Sequence, residues 1–310
     1  MEAVKGLTGL GVVEQTKRTN EAFEPLLKAH QQEILSFEPK TYRYGSTDRH
    51  EASSHVYFPK TTATGSAAIL FFVYGGAYVT GAKVLEPPYD LQHKNTGAFF
   101  AKQGFVTVIA DYRLFPGIKF PDPATDIKDA LEWIVINIDK VHQSTPVKAD
   151  ASQIFLMGHS AGATTVATLM LTPELLPYDV RKRIVAVVLN AGVYDLRGEQ
   201  TFHPLVVREY YGATQALLRR REPLGLLENA PPDVLEGFPP VLAVLAEFDF
   251  QPIIVAHKTF VAALKDRIEA PVEELIMKGH NHMSPYNCLF SGEGEQWALD
   301  SVAWLKSKIR

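Results

Sequence analysis

Ser160 stands in Gly158-His159-Ser160-Ala161-Gly162, after the apolar run Ile154–Met157 and before the apolar stretch from Ala163 to Leu171. A serine in a G-x-S-x-G pentapeptide at a strand-to-helix boundary can act as a nucleophile, because the sharp turn lifts its hydroxyl above the end of a sheet. Glycines flank it two positions either side because a Cβ at either place would strike the neighbouring strand or helix. Such a serine needs a base, a group that orients the base, and donors for an oxyanion. The expected chain order is acid, then histidine, each on a loop after a strand. Behind the apolar run Val241–Leu245 comes Asp249, and a carboxylate there can fix the tautomer of an imidazole. The alternative, that Asp249 caps a helix starting near Ile253, is disfavoured because the chain order and strand context agree with the acid role. Glu247, two residues earlier, lies nearer the strand body. Behind Val272–Met277 comes Lys278-Gly279-His280-Asn281-His282-Met283. His282 is preferred to His280 as the base, since the hydrophobic residue after it can anchor the loop. A His-x-His pair can also ligate a metal, but no third ligand lies at a suitable spacing, so no metal is expected.

Oxyanion donors are expected from the backbone N–H of Ala161 and from the loop Tyr74-Gly75-Gly76-Ala77-Tyr78. Gly76 and Ala77 are the expected donors there, with Gly75 permitting the turn. No cofactor is implied, since the chain has no glycine motif of the P-loop or dinucleotide type. The aromatic residues Phe115, Tyr194, Phe202, Tyr210 and Tyr211 either line an apolar acyl or aryl pocket or belong to the core.

The elements that must carry these residues follow from hydrophobic periodicity. Residues 1–38 read as an amphipathic helical arm, with Val12-Val13, Phe23, Leu26-Leu27 and Ile34-Leu35 at roughly helical spacing. Two short strands at 41–44 and 55–58 follow. The continuous apolar runs 67–74, 105–110, 154–157, 184–189, 241–245 and 272–277 have the character of strands buried on both faces of a parallel sheet. Helices expected at 91–102, 124–138, after Ser160, 253–266 and 295–308 alternate with them, which calls for a mostly parallel sheet with helices on both faces. No linker divides residues 1–310 into independent domains. The proline-rich interruption 198–240 is expected to be a cap or lid insertion.

With 310 residues, 46% hydrophobic and 21% charged, the composition is that of an ordinary soluble globular chain. A formal net charge of −4 offers no basic field for nucleic acid and no polybasic membrane anchor. The single cysteine, Cys288, excludes an internal disulfide framework. The N-terminus lacks a signal-peptide core, and no stretch is long enough to span a bilayer. A cytoplasmic protein is the expectation. Assembly as a homodimer is compatible with the chain and required by nothing in it.

Taken with their order, these motifs identify a resemblance to the α/β-hydrolase superfamily. The glycine loop resembles the H-G-G-x motif of hormone-sensitive-lipase-like esterases and kynurenine formamidases, with Tyr74 at the usual histidine position. Asp111-Tyr112-Arg113-Leu114-Phe115-Pro116, with Phe120-Pro121 and Asp126, looks like the segment these esterases carry after their fourth strand. Ala191-Gly192-Val193-Tyr194-Asp195-Leu196 is similar to a stretch of formamidase-like members. The resemblance implies an α/β-hydrolase fold with a helical cap, and a serine hydrolase acting on a small-molecule carboxylic ester or an activated amide such as an N-formyl aryl amine. A fold does not imply a function, however. A non-catalytic small-molecule receptor is the alternative, although the positions of the serine, acid and histidine are all filled here.

Overall fold

A computed structural model describes residues 1–45, 52–62, 65–142, 145, 147–197 and 203–310. Along the chain these form helices α1 (Val12–Ala29) and α2 (Gln31–Leu35), strands β1 (Lys40–Arg43), β2 (Ser53–Tyr57) and β3 (Ser66–Val73), and helix α3 (Lys94–Lys102). Strand β4 (Val106–Ala110), helices α4 (Asp122–Ile136) and α5 (Ile138–His142), strand β5 (Lys148–His159), and helices α6 (Ala161–Leu171) and α7 (Tyr178–Arg181) come next. After β6 (Ile184–Asn190) stand four short helices, α8 (Pro204–Tyr211), α9 (Gln215–Arg221), α10 (Pro223–Glu228) and α11 (Pro232–Glu236). The chain closes with β7 (Val241–Phe248), α12 (Gln251–Arg267), β8 (Val272–Asn281), α13 (Ser284–Asn287) and α14 (Gln296–Lys306).

The strands build one sheet in the order β1-β2-β4-β3-β5-β6-β7-β8. The first two pairings are antiparallel and all pairings from β4 to β8 are parallel. Seven of the eight residues of β3 and all seven of β6 are buried, which is why these strands read as unbroken apolar runs. Strand β5 lies between β3 and β6, so Ser160 emerges from the middle of the sheet at its carboxyl edge. Among the described residues no helix is long and apolar enough to cross a membrane.

The helical arm differs from its expected face. Val13 is 84% exposed, and the buried stripe of α1 is Gln15, Thr19, Phe23 and Leu27. Two of those four are polar because their side chains have partners: Gln15 Nε2 donates to the Leu7 carbonyl at 3.0 Å, and Thr19 Oγ1 accepts from Asn281 Nδ2 at 3.0 Å. An apolar-only count cannot find such a stripe.

The insertion expected over 198–240 is described from His203 onward, and Phe202 lies outside the described residues. Helix α10 packs on α6 and α12. The Leu224 N–H donates to the Tyr194 carbonyl at 2.9 Å. Fully buried Glu222 accepts from the Leu196 N–H at 2.6 Å and from Arg197 Nε at 2.5 Å. Tyr194, Tyr210 and Tyr211 are at most 2% exposed. Tyr194 stacks on Phe260 with ring centroids 4.4 Å apart. Of the two readings of these tyrosines, the structure takes the core one.

Candidate active site

The turn from β5 into α6 gives Ser160 φ 52° and ψ −123°. A non-glycine residue holds such angles only where its surroundings over-determine them. Both glycines of the pentapeptide supply that confinement. A Cβ on Gly158 would lie 2.6 Å from Ala163 Cα, and one on Gly162 would lie 2.0 Å from the Val73 carbonyl oxygen. The Ser160 N–H is spent on the Asn190 carbonyl at 2.9 Å. Ala161 is the first residue of α6, so its N–H has no intrahelical acceptor and sits at the positive end of the helix.

Three side chains from three strand ends meet here. His282 Nε2 lies 2.9 Å from Ser160 Oγ, and His282 Nδ1 lies 2.9 Å from Asp249 Oδ1. A carboxylate only accepts, so Nδ1 carries the proton and the serine hydroxyl donates to Nε2. Asp249 Oδ1 also accepts the Phe250 N–H at 2.8 Å. His282 and Asp249 are both buried, so these bonds form away from competing water.

His280 belongs to a different arrangement. Its Nδ1 lies 3.0 Å from Ser284 Oγ and its Nε2 2.9 Å from the Gly294 carbonyl, so both ring nitrogens are engaged away from Ser160. Burial pushes its pKa down to about 4. Glu247 is exposed and accepts the Gly279 N–H at 2.8 Å, which ties down the start of the histidine loop without reaching His282. Asn281 secures the loop from the other side. Its Oδ1 accepts the N–H groups of Met283 and Ser284, both at 3.0 Å.

His159, inside the pentapeptide, reads from the sequence as a packing or orienting residue. Its Nε2 donates to the His282 carbonyl at 3.0 Å, and its ring packs 4.9 Å from the rings of both His282 and Tyr286. Burial, reinforced by the neighbouring His282, holds its pKa well below the usual histidine range. The ring is therefore a neutral donor to the main chain of His282.

The glycine loop lies against the serine. A Cβ on Gly75 would come within 2.9 Å of Ser160 Cβ, and one on Gly76 within 2.0 Å of the Thr80 carbonyl oxygen. Gly76, Ala77 and Tyr78 all take left-handed backbone, with φ of 123°, 53° and 62°. For the alanine and tyrosine this costs roughly 1–2 kcal/mol each. Tyr74, at the position where the motif usually carries histidine, is buried between Tyr112 and His93, with ring centroids 4.6 and 5.3 Å away. Its hydroxyl donates to Asp111 Oδ1 at 3.2 Å, which also accepts the Lys83 N–H at 2.7 Å. Lys83 Nζ pairs with the other oxygen of Asp111. Tyr112 in turn donates its hydroxyl to the Tyr74 carbonyl at 2.8 Å. The Asp111-Tyr112 pair thus braces the glycine loop from below, and Arg113 ties the same segment to Asp126 at 2.8 Å. No sequence signal joins Tyr74 to Asp111, which lies 37 residues away. Among the described residues no group of three or more His, Cys, Asp or Glu is placed to hold a metal ion.

The sheet order and the strained serine after β5 define an α/β-hydrolase. The chain belongs to the BD-FAE family, whose model matches residues 55–210. Esterase LipC of Mycobacterium tuberculosis is 28% identical over 237 residues, covering 73% of this chain and 55% of LipC. Kynurenine formamidase of Drosophila melanogaster is 23% identical over 265 residues, 84% of this chain and 81% of that protein. The chain spans only part of several curated relatives, from 5% of the non-reducing polyketide synthase atr1 of Stereocaulon alpinum to about half of LipC. Among solved structures, esterase Est22 superposes with a TM-score of 0.70 at 15% identity, covering 99% of this chain and 92% of that one. An esterase of Rhizomucor miehei gives 0.64 at 22% identity, covering 92% and 90%. These two likenesses establish the fold.

Proposed function

We propose that this protein is a serine hydrolase that cleaves a carboxylic ester through an acyl-enzyme. The observation that carries the reading is the pair of 2.9 Å contacts aligning Ser160 Oγ, His282 and Asp249. Ser160 Oγ attacks the carbonyl carbon while its proton passes to His282 Nε2, and Asp249 stabilises the imidazolium through Nδ1–H. The oxyanion accepts from the N–H of Ala161 and from the glycine loop, where Gly76 and Ala77 are the assigned donors and Gly75 the close-packing residue. Loss of one such donor typically costs about 10²–10³ in turnover. The tetrahedral intermediate collapses, His282 returns the proton to the leaving alkoxide, and the alcohol departs. Water then attacks the acyl-enzyme with His282 as base, releasing the acid and regenerating Ser160.

The esterase relatives support a carboxylic ester as substrate. An N-formyl aryl amide is a second reading, and the formamidase of Drosophila favours it because that likeness runs through most of both chains. The helices between His203 and Glu236 are assigned as a cap over the substrate side of the sheet.

The test is initial rates on p-nitrophenyl acetate and butyrate for the wild type, Ser160→Ala and His282→Ala. Activity lost in both folded variants supports the hydrolase. Turnover that persists in Ser160→Ala overturns it, and tight ligand binding without turnover would indicate a receptor on the same fold. Comparing kcat/KM for N-formylkynurenine with that for the butyrate ester separates the amide and ester readings.

A further inference from the structure

The side chains of Tyr78 and Thr165 link the two parts of the assigned oxyanion site, the glycine loop and the start of α6. Tyr78 sits one residue past Ala77 in left-handed backbone, and its hydroxyl lies 3.1 Å from Thr165 Oγ1. Thr165 spends its own proton on the Ala161 carbonyl at 2.8 Å, so Tyr78 is the donor in their shared bond. A chain of two hydrogen bonds therefore runs from the residue after one assigned donor, Ala77, to the residue that supplies the other, Ala161. The Tyr78 carbonyl is held as well, accepting the Phe115 N–H at 2.7 Å. The outer side of the Tyr78 ring is covered by Tyr210 of α8, with centroids 4.9 Å apart. The Tyr210 carbonyl accepts the Phe120 N–H at 2.9 Å, which fastens that helix to the segment after β4. The Tyr210 hydroxyl is buried beside the Tyr78 hydroxyl, so both its ring and its hydroxyl bear on Tyr78.

We infer that Tyr78 is a positioning residue that sets the spacing between the loop and helix N–H donors, and that Tyr210 makes the α8 segment part of its support. The inference rests on the serine-hydrolase reading. Strained backbone at Ala77 and Tyr78 persists only while something outside the loop holds it, and Tyr78's own side chain reaches both holders. The α8 segment then influences turnover, in addition to any part in admitting substrate.

The experiment measures kcat and KM on p-nitrophenyl butyrate, with kcat expressed per active site titrated by a fluorophosphonate. The variants are Tyr78→Phe, Thr165→Val, their double variant, Tyr210→Ala and Tyr210→Phe. Tyr78→Phe is expected to lower kcat about tenfold, equivalent to about 1.4 kcal/mol, with KM within twofold. The double variant should lose less than the sum of the two single losses, because both substitutions break the same Tyr78–Thr165 bond. Tyr210→Ala should lower kcat in the same way, and Tyr210→Phe, which keeps the ring, should lose less. A kcat per titrated site that is unchanged in Tyr78→Phe, or additive losses in the double variant, overturns the inference while leaving the hydrolase reading intact. Wild-type protein without Ser160-dependent turnover overturns both.

Discussion

The Nε2–H of His159 reaches the backbone carbonyl of His282 at 3.0 Å, across 123 positions of sequence. The residue before Ser160 therefore holds the main chain of the residue whose imidazole faces Ser160. Both ends of the 2.9 Å contact between Oγ and Nε2 are anchored through one half-buried, neutral ring.

Replacing that ring with an apolar one should tell against turnover more than against folding. His159→Leu leaves the His282 carbonyl without its donor, a loss on the order of 1 kcal/mol. It also lets the imidazole drift from the serine. The expected result is a fall of about tenfold in kcat on p-nitrophenyl butyrate with KM little changed. His159→Gln keeps an N–H donor and should recover part of the loss. Equal kcat in the wild type and His159→Leu would remove His159 from the account.

Tyr74 offers a test of the glycine loop's foundation. Tyr74→Phe deletes the hydroxyl donated to Asp111 while Lys83 keeps both of its contacts to that carboxylate. A drop of about 1 kcal/mol in unfolding free energy is expected, seen as a lower midpoint in urea, together with a several-fold lower kcat. An unchanged midpoint and unchanged kcat would mean that ring stacking on Tyr112 and His93 alone supports the loop.

A buried bond from Asn281 Nδ2 to Thr19 Oγ1 joins the arm helix α1 to the histidine loop. Thr19→Val preserves the shape of the side chain and leaves a fully buried amide donor unpaired, a cost of about 1–3 kcal/mol. Calorimetry should register a lower Tm, whereas Thr19→Ser should stay near the wild type. A Thr19→Val protein as stable as the wild type would show that this bond contributes nothing to stability.

Acid should destabilise the fold through its buried imidazoles. Burial is the first cause that lowers His55, His257 and His280 from 6.5 to about 4. These rings stay neutral in the folded chain while the unfolded chain takes up their protons. Stability is therefore unaffected well above pH 6.5 and is lost as pH falls from about 6.5 toward 4. The slope approaches about 1.4 kcal/mol per pH unit for each ring. In His257→Phe one of these terms disappears, so Tm should fall less steeply between pH 6.5 and 5 than in the wild type. Parallel curves for the two proteins would argue that His257 takes up its proton without unfolding.

Much of this molecule is local in origin and therefore legible from the chain alone. Unbroken apolar runs such as 67–73 and 184–189 announce strands covered on both faces, because a parallel sheet leaves neither face to water. Glycines at 158 and 162 announce the elbow because no other residue clears Ala163 and the Val73 carbonyl. The order Ser160, Asp249, His282 follows from the succession of strand ends. Boundaries shift by a few residues where the ladder runs on, as when β5 begins at Lys148 and β8 continues to Asn281.

The rest depends on residues that meet only when the sheet is assembled. His280 and His282 are two residues apart and chemically alike. What separates them is that Gly294 and Ser284 claim one ring, while Ser160 and Asp249 receive the other. Thr19 is buried because Asn281 stands opposite it, and Tyr74 serves where histidine is usual because Asp111 lies within reach of a phenol. Tyr194, Tyr210 and Tyr211 are core residues because their neighbours close over them. Period and turn chemistry are properties of a few consecutive residues, so the strands, the elbow and the order of the candidate triad can be read directly from the chain. A buried polar group is satisfied by whatever distant partner packing delivers, so which histidine faces the serine, and what holds the loops around it, emerges only when the fold is assembled.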